Sequence, residues 1–162
     1  MTSEIIRREF GSCVGVDKIH DQIYSRINIW QRDIVTKEDR IKYWLKSAKD
    51  DWKVAEHLFE KGDYPYALFF GHLTIEKILK AIYVDKLNES PPYTHRLTHL
   101  AEKISLGLTE EQLELLETIT DFNMEARYPD EKFSFKKRCS RNFSKKYLRK
   151  IEDLKKWLTK RI

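Results

Sequence analysis

The sequence predicts an all-α fold, an antiparallel up-and-down bundle of about five helices with an extra N-terminal helix. Apolar residues recur at intervals of three and four, as they do on the buried face of a helix. Only five glycines and four prolines interrupt the chain, and they fall between the periodic segments. With 162 residues and 41% hydrophobic content, the chain is long enough to bury the core of one domain.

The first two helices of the bundle have the clearest apolar patterns. Gly62 follows the first helix, where a left-handed residue commonly ends a helix. Asp63 can cap the second helix, which tolerates Pro65 in its first turn because that N–H would have no partner. The second helix, through ALFFGHLTIEKILKAIYV, is apolar on more than one side, so we expect it to lie centrally, with Gly71 allowing a close backbone approach. The stripe of the first helix comprises Ile41, Trp44, Leu45, Ala48, Trp52, Ala55, Leu58 and Phe59.

Three further helices follow. Pro91 and Pro92 stop the second helix, because proline lacks the backbone donor and restricts the residue before it. A short third helix comes next. Thr109 and Gln112 have the spacing of a capping box and open the fourth helix, which Pro129 closes. A fifth helix follows a polar loop and runs to the C-terminus. The apolar residues of these helices are Leu97, Leu100, Ala101 and Ile104; Leu113, Leu116, Ile119 and Phe122; and Phe143, Tyr147, Leu148, Ile151, Leu154, Trp157 and Leu158.

Residues 1–38 are interpreted as an N-terminal extension of the bundle formed by residues 39–162. Helical spacing in this extension predicts one amphipathic helix. It can pack on the bundle, form an arm of a dimer, or belong to an over-extended translation start with Val35 as the alternative initiator; these interpretations stay open. The residues with this spacing are Val16, Ile19, Ile23, Ile27, Trp30 and Ile34.

The charge is unevenly distributed. Residues 132–162 contain thirteen Lys or Arg against two acids, a net charge of +11, which leaves −6 for residues 1–131 out of the total of +5. A basic terminal helix can face nucleic acid, an acidic partner or water. No apolar run approaches the roughly 20 residues of a membrane span, and the first residues lack a signal-peptide pattern, so we expect a cytoplasmic protein without a membrane partner.

The short signatures of the major enzyme classes are missing from the sequence, including Gly-rich phosphate loops, GxSxG and HExxH. Cys13 and Cys139 lack zinc-site spacing and are interpreted as free thiols. His95 and His99 are four residues apart and could share a helix face. Without an adjacent Glu, however, they favour a polar helix start, so we predict neither a metal site nor a cofactor.

Three polar residues fall on the apolar second helix. His72 is interpreted as a core histidine that is hydrogen-bonded to a neighbour. Glu76 and Lys80 have the i, i+4 spacing of an ion pair. A charged pair on a mostly apolar helix indicates either a structural pair or the edge of a groove or interface.

Four segments in this order resemble the HEPN family of small prokaryotic helical proteins. They are the two-helix run from Ile41 to Val84, the EKILKA segment beginning at Glu76, the PPYTHRLTHLAEKI segment containing His95, and FNMEARYPDEKF, which contains Arg127. The resemblance implies a five-helix bundle that usually dimerises. It also implies a gene neighbour encoding a small nucleotidyltransferase, with the pair sometimes acting as toxin and antitoxin. Many members are similar to metal-independent RNases, and others to nucleotide-binding or dimerising modules.

The family's RNase motif is an arginine followed, after four to six residues, by a histidine. Arg127 matches the arginine, whereas the histidine should fall at Lys132, Phe133 or Ser134, and none of these is a histidine. His95 then becomes the candidate acid or base, since metal-free RNA cleavage needs a group that titrates near neutral pH beside a cation.

The candidate catalytic residues are therefore Arg127 and His95. The candidate nucleotide- or RNA-binding residues are Arg127, Tyr128, Asp130, Glu76, Lys80 and His72. An arginine, an aromatic ring and a carboxylate at a helix end can form a groove that grips phosphate and stacks a base, although ordinary helix capping also accounts for Arg127. The alternative function is a non-catalytic protein-interaction or dimerisation module whose basic last helix binds an acidic surface.

Overall fold

The structure, a computed structural model, describes residues 35–162, so the predicted N-terminal helix and Cys13 lie outside the described residues. The part described forms one compact unit, Thr36–Ile162. It contains six α-helices and no strand, which confirms the predicted all-α class. The helices are α1 (Lys37–Lys61), α2 (Tyr64–Leu87), α3 (Leu97–Lys103), α4 (Glu110–Arg127), α5 (Ser134–Arg138) and α6 (Arg141–Thr159).

Helix α1 begins and ends with well-formed caps. The Thr36 hydroxyl accepts from the backbone N–H of Asp39, and the Asp39 carboxylate accepts from the N–H of Thr36, which completes a capping box. Gly62 ends the helix at a φ of 88°, a left-handed conformation that glycine adopts without strain. The predicted stop at Gly62 is therefore confirmed.

Helix α2 is the central element, as its sequence predicts. It packs against α1, α4 and α6, and thirteen of its residues are buried. Its ends differ in detail from the prediction. Asp63 occupies the N-cap position but makes no side-chain capping hydrogen bond. The helix ends at Leu87, where Asn88 adopts a left-handed φ of 52°, so that the chain has left the helix before it reaches Pro91.

Helix α4 has the capping box that the sequence predicts. The Thr109 hydroxyl accepts from the N–H of Gln112, and the Gln112 side chain accepts from the N–H of Thr109. Helix α4 ends at Arg127, two residues before Pro129. Its N-terminus is thus fixed by local sequence, and its C-terminus precedes a residue that cannot continue a helix.

The segment between α4 and α6 is not only the polar loop that we expected, because it contains the one-turn helix α5. Asp130 Oδ1 accepts from the backbone N–H of Ser134 at 2.7 Å, which supports the first turn. Phe135 is buried and stacks on Phe122 with a centroid separation of 5.7 Å. The single apolar anchor carries no helical periodicity, which is why the sequence pattern missed this helix.

The core brings α2 and α6 close together at Gly71. An added Cβ there would lie 2.9 Å from Cδ1 of Ile151 and 3.6 Å from Cδ2 of Leu148. Glycine permits this spacing because it lacks a side chain. The element that approaches Gly71 closely is not the predicted backbone but the side chains of α6. No helix of the described chain is long and apolar enough to cross a membrane.

Substituting Gly71→Leu should lower the free energy of unfolding by about 1–3 kcal/mol, because the new side chain must displace Ile151 from a packed core. Gly71→Ala should change stability much less, since the higher helix propensity of alanine, about 1 kcal/mol, offsets the tight contact. Urea denaturation of both variants beside the wild type measures the difference. A leucine variant as stable as the alanine variant would contradict the close approach of α6.

Candidate functional site

Four polar side chains converge beside the middle of α2, and we refer to His72, Glu76, Lys80 and His95 as the Glu76 cluster. The first three are spaced four residues apart, which places them on one face of α2. His95 reaches them from the segment between α2 and α3. The apolar pattern of α2 identified the first three as unusual, and the fold adds the fourth from a distant position in the sequence.

The Glu76 carboxylate is the centre of this cluster. Its Oε1 accepts from Lys80 Nζ at 2.6 Å. Its Oε2 lies 2.9 Å from Nδ1 of His95 and 3.1 Å from Nε2 of His72. The side chain of Glu76 is only 6% exposed, and that of Lys80 is 13% exposed. The pair is therefore not the surface ion pair that its spacing alone would allow.

The environment of Glu76 favours its ionised form. Burial by itself would raise the pKa of this carboxyl group, but hydrogen bonds from His72, Lys80 and His95 outweigh burial and lower the pKa to about 2. The carboxylate consequently keeps its negative charge at every pH near neutrality. A fixed buried anion of this kind can hold neighbouring donors in place.

His72 is fully buried and contacts acceptors on both sides of its ring. Nδ1 lies 3.2 Å from the carbonyl oxygen of Ile119 on α4, and Nε2 faces Glu76. His72 is thus the hydrogen-bonded core histidine that the sequence predicts, and it links α2 to α4.

His95 differs from His72 because its side chain is 56% exposed. Its Nδ1 donates to Glu76, and its Nε2 has no hydrogen-bond partner among the described residues. A carboxylate that holds one imidazole N–H leaves the lone pair on the other nitrogen, and here that nitrogen is free to meet a solute. The pair has the chemistry of an oriented general base.

His72, Glu76 and His95 also have the composition of a metal-binding group. Their three ligand atoms lie within 4.8 Å of one another, and two histidines with a glutamate form a known zinc ligand set. The ammonium group of Lys80 on the same carboxylate, however, already supplies a positive charge. A divalent cation would therefore meet electrostatic repulsion from Lys80 at this position.

Helix α1 contributes an aromatic side chain beside the cluster. Lys80 Nζ lies 5.2 Å from the ring centroid of Trp44, a distance that allows a cation–π interaction. Sequence reasoning placed Trp44 in the apolar stripe of the first helix and did not connect it with the polar residues of α2. The position of Trp44 in the apolar stripe was the only indication that the sequence offered. Its contact with Lys80 results from the packing of α1 on α2.

The residues at the end of α4 form a separate, exposed group. Arg127 Nη2 lies 3.3 Å from the hydroxyl of Tyr128, and the guanidinium carbon is 5.3 Å from the same ring. Hydrogen bonds from Ser134 lower the pKa of the Asp130 carboxyl group. Asp130 thus serves the start of α5, and no hydrogen bond or ion pair joins it to Arg127 in residues 35–162.

The two candidate catalytic residues are not in contact. His72 contacts the Ile119 carbonyl, which shows where α4 adjoins the Glu76 cluster. Arg127 lies eight residues after Ile119, which is about 12 Å along the helix at 1.5 Å per residue. Neither a hydrogen bond nor an ion pair connects Arg127 with His95 in the described part of the chain. Within one chain, the described contacts therefore do not bring the acid–base candidate and the phosphate-binding candidate together.

The proposed helix face shared by His95 and His99 is wrong. Helix α3 begins at Leu97, so His95 precedes it, and the side chain of His95 turns to Glu76. Of the two predicted free thiols, Cys139 is the one within the described residues. Its thiol is free and buried, and burial raises its pKa to about 11. A thiol with so high a pKa is a poor nucleophile near neutral pH.

The fold and the Glu76 cluster define a small all-α protein with a polar site on a central helix, and comparison with known proteins identifies the family. The HEPN domain profile matches residues 41–162. The chain belongs to the HEPN family, as its motifs indicated. Among solved structures, it is similar to TT1696 from Thermus thermophilus, with a TM-score of 0.67 and 18% sequence identity over 76% of this chain and 98% of that chain. At that identity the likeness shows the fold alone. No curated protein matches the chain.

Replacing Glu76 with Gln should destabilise the protein at pH 7 by about 2–4 kcal/mol, because it leaves buried donors beside a neutral amide. The pKa of Glu76 is lower in the folded state, about 2, than the ordinary 4.5, so its stabilisation is complete above pH 4.5 and declines as the pH falls towards 2. Urea denaturation at pH 7 and pH 3 should therefore show a smaller deficit at pH 3.

Glu117→Gln is the matched control, because Glu117 is an exposed residue of α4. Its unfolding free energy should stay within about 0.5 kcal/mol of the wild type at both pH values. A Glu76→Gln deficit that is equal at pH 7 and pH 3 would contradict the stabilisation of the charged carboxylate.

Proposed function

We propose that this protein is a homodimeric HEPN subunit that binds RNA or nucleotide, cleaves RNA without a metal ion and partners a small nucleotidyltransferase in a toxin–antitoxin-like pair. His95 is the acid–base group in this proposal. The observation that carries it is the 2.9 Å contact between His95 Nδ1 and Glu76 Oε2 on a side chain that is more than half exposed.

In this reaction the 2′-hydroxyl of RNA loses its proton and its oxygen attacks the adjacent phosphorus. The bond from that phosphorus to the 5′-oxygen of the next nucleotide breaks, and the products are a 2′,3′-cyclic phosphate and a 5′-hydroxyl that has taken up a proton. Nε2 of His95 can accept the 2′-hydroxyl proton because Glu76 holds the opposite nitrogen and stabilises the imidazolium that forms. Lys80 balances the carboxylate and supplies positive charge near the site. Arg127 would bind a phosphate and Tyr128 would stack on a base. These contacts would be made elsewhere along the bound strand, or to a strand bound at the second subunit.

The charge distribution supports the substrate class. Helix α6 and its flanking residues carry most of the net charge of +11 in residues 132–162, which attracts a polyanion at long range. The family membership supports the proposed dimer and the nucleotidyltransferase partner. An RNA-binding HEPN subunit accounts for both the basic surface and the oriented histidine.

A non-catalytic interaction module is the second candidate function. The lack of contact between Arg127 and His95 favours it, since the two candidate catalytic residues do not meet within one chain. In that case α6 would bind an acidic partner surface, and the Glu76 cluster would only fix α2 against α4.

An RNA cleavage assay in EDTA separates the two candidates. The wild type should cleave, and His95→Gln should reduce the rate by about 10²–10⁴-fold, because glutamine keeps a polar contact but cannot exchange a proton. Arg127→Ala should weaken RNA binding while the fold, checked by circular dichroism, is retained. Size-exclusion mass measurement should give twice the 19.5 kDa of one chain.

His57→Gln is the matched control, since His57 is an exposed histidine on α1, away from the Glu76 cluster. It should cleave at the wild-type rate. A folded wild-type dimer that leaves RNA intact would overturn the catalytic proposal in favour of the interaction module. Loss of cleavage in EDTA with recovery in Zn²⁺ would overturn the metal-independent mechanism and assign an ion to His72, Glu76 and His95.

A further inference from the structure

A concave site opens between α1, α2 and α6. This groove, which we call the Trp52 groove, has a volume of about 530 Å³. Volumes of about 300–1,000 Å³ are typical of sites for small molecules. Leu45, Ala48, Trp52 and Ile78 supply its apolar lining, and Thr74 lies beside them.

The Trp52 groove is distinct from the Glu76 cluster. Thr74 and Ile78 line the groove, whereas His72 and Glu76 belong to the cluster. Positions two residues apart on an α-helix are rotated by about 200°, so these two pairs occupy opposite sides of α2. The groove therefore requires its own functional explanation.

Four of the described residues that line the groove are lysines, and none of the described lining residues carries a carboxylate. Lys156 is neutralised by Glu152 at 2.8 Å on the same helix. Lys49, Lys155 and Lys160 form no ion pair among residues 35–162. The groove thus combines an apolar lining with three cations available to an anion.

Lys155 is the most informative of these cations. Its ammonium nitrogen lies 4.0 Å from the centroid of the Trp52 ring, and its charge is consequently held against an aromatic surface. Burial lowers the pKa of Lys155, while the more distant charges of Glu152 and Glu56 raise it. An anion bound at the groove would compensate for the water that Lys155 has lost.

We propose that the Trp52 groove binds a small anionic amphiphile, an aryl or alkyl body that carries one carboxylate, sulfonate or phosphate group. The body would contact Leu45, Ala48 and Trp52. The anionic group would contact Lys155, with Lys49 and Lys160 at the edge of the same groove. This site is separate from the Glu76 cluster and from the reaction proposed for His95, and Lys155 and Lys160 belong to the basic region that is proposed to attract RNA.

The choice of an amphiphile follows from the lining, which combines apolar side chains with lysines. A purely apolar ligand would leave the lysines without a counter-ion, and a highly charged ligand would not cover the apolar surface of Leu45 and Ile78. Burial of apolar surface favours binding of the body, and a charge-assisted contact with a lysine orients the anionic group.

Fluorescence titration with 8-anilinonaphthalene-1-sulfonate tests the proposal, because this probe is itself an aryl sulfonate. The full-length, folded protein should enhance its fluorescence in a saturable manner, and decanoate should displace it. Neutral 1-decanol, which has the same chain length, should compete at least about tenfold less well, since it lacks the charge that Lys155 recognises. AMP should compete poorly.

Lys155→Met keeps the apolar stem and removes the charge, so it should weaken decanoate binding by about tenfold. Lys145→Met is the matched control on the same helix and should change the affinity less than twofold, because Lys145 is exposed and does not line the groove. Ala48→Leu, which fills the groove, provides a second variant. It should reduce binding by decanoate and by the fluorescent probe alike, and thermal unfolding of each variant confirms that it is folded.

Equal competition by decanol and decanoate would overturn the anionic part of the proposal, and displacement by AMP but not by decanoate would identify a nucleotide site instead. Saturable binding that is unchanged in both Lys155→Met and Ala48→Leu would place the probe outside the Trp52 groove. Each of these results is separate from the RNA cleavage assay, so failure of one proposal leaves the other standing.

Discussion

The buried carboxylate of Glu76 is the interaction on which the arrangement of the site depends. It lies on the central helix and accepts from a lysine one turn later, a buried histidine one turn earlier, and a second histidine from a separate segment. Because an unpaired buried charge is costly, these contacts must form together when α2, the following segment and α4 pack. The same hydrogen bonds that stabilise the core therefore orient the only half-exposed side chain of the cluster, His95.

The central helix α2 separates two chemically different surfaces. One face carries the fixed anion and the histidines, and the opposite face lines an apolar groove edged by lysines. Helix α1 contacts both faces of α2, since the ammonium groups of Lys80 and Lys155 lie over the rings of Trp44 and Trp52, respectively. A small bundle can thus present two chemically different surfaces, because a buried helix has neighbours on several sides and each neighbour supplies different side chains.

Arg127 shows that one residue of a motif can be present without the arrangement in which the motif usually acts. The motif histidine is absent from the sequence, and the packing of α4 on α2 places Arg127 about 12 Å along the helix from the level of His72. Its neighbour Tyr128 and the capping role of Asp130 make this end of α4 a self-contained local structure. Any shared use of Arg127 and His95 would require a bound strand or a second subunit to connect the two surfaces.

The sequence by itself determined the helices with strong periodicity, the caps at Thr109 and Gly62, and the family, because these depend on local spacing and on the order of short motifs. It also singled out His72, Glu76, Lys80 and His95 as residues with chemistry. Only the tertiary structure decided that these four meet, that His95 precedes α3 instead of sharing it with His99, that a helix forms around Phe135, and that Lys155 covers Trp52. Those results depend on contacts between residues far apart in the chain, and helical periodicity carries no information about which faces pack together.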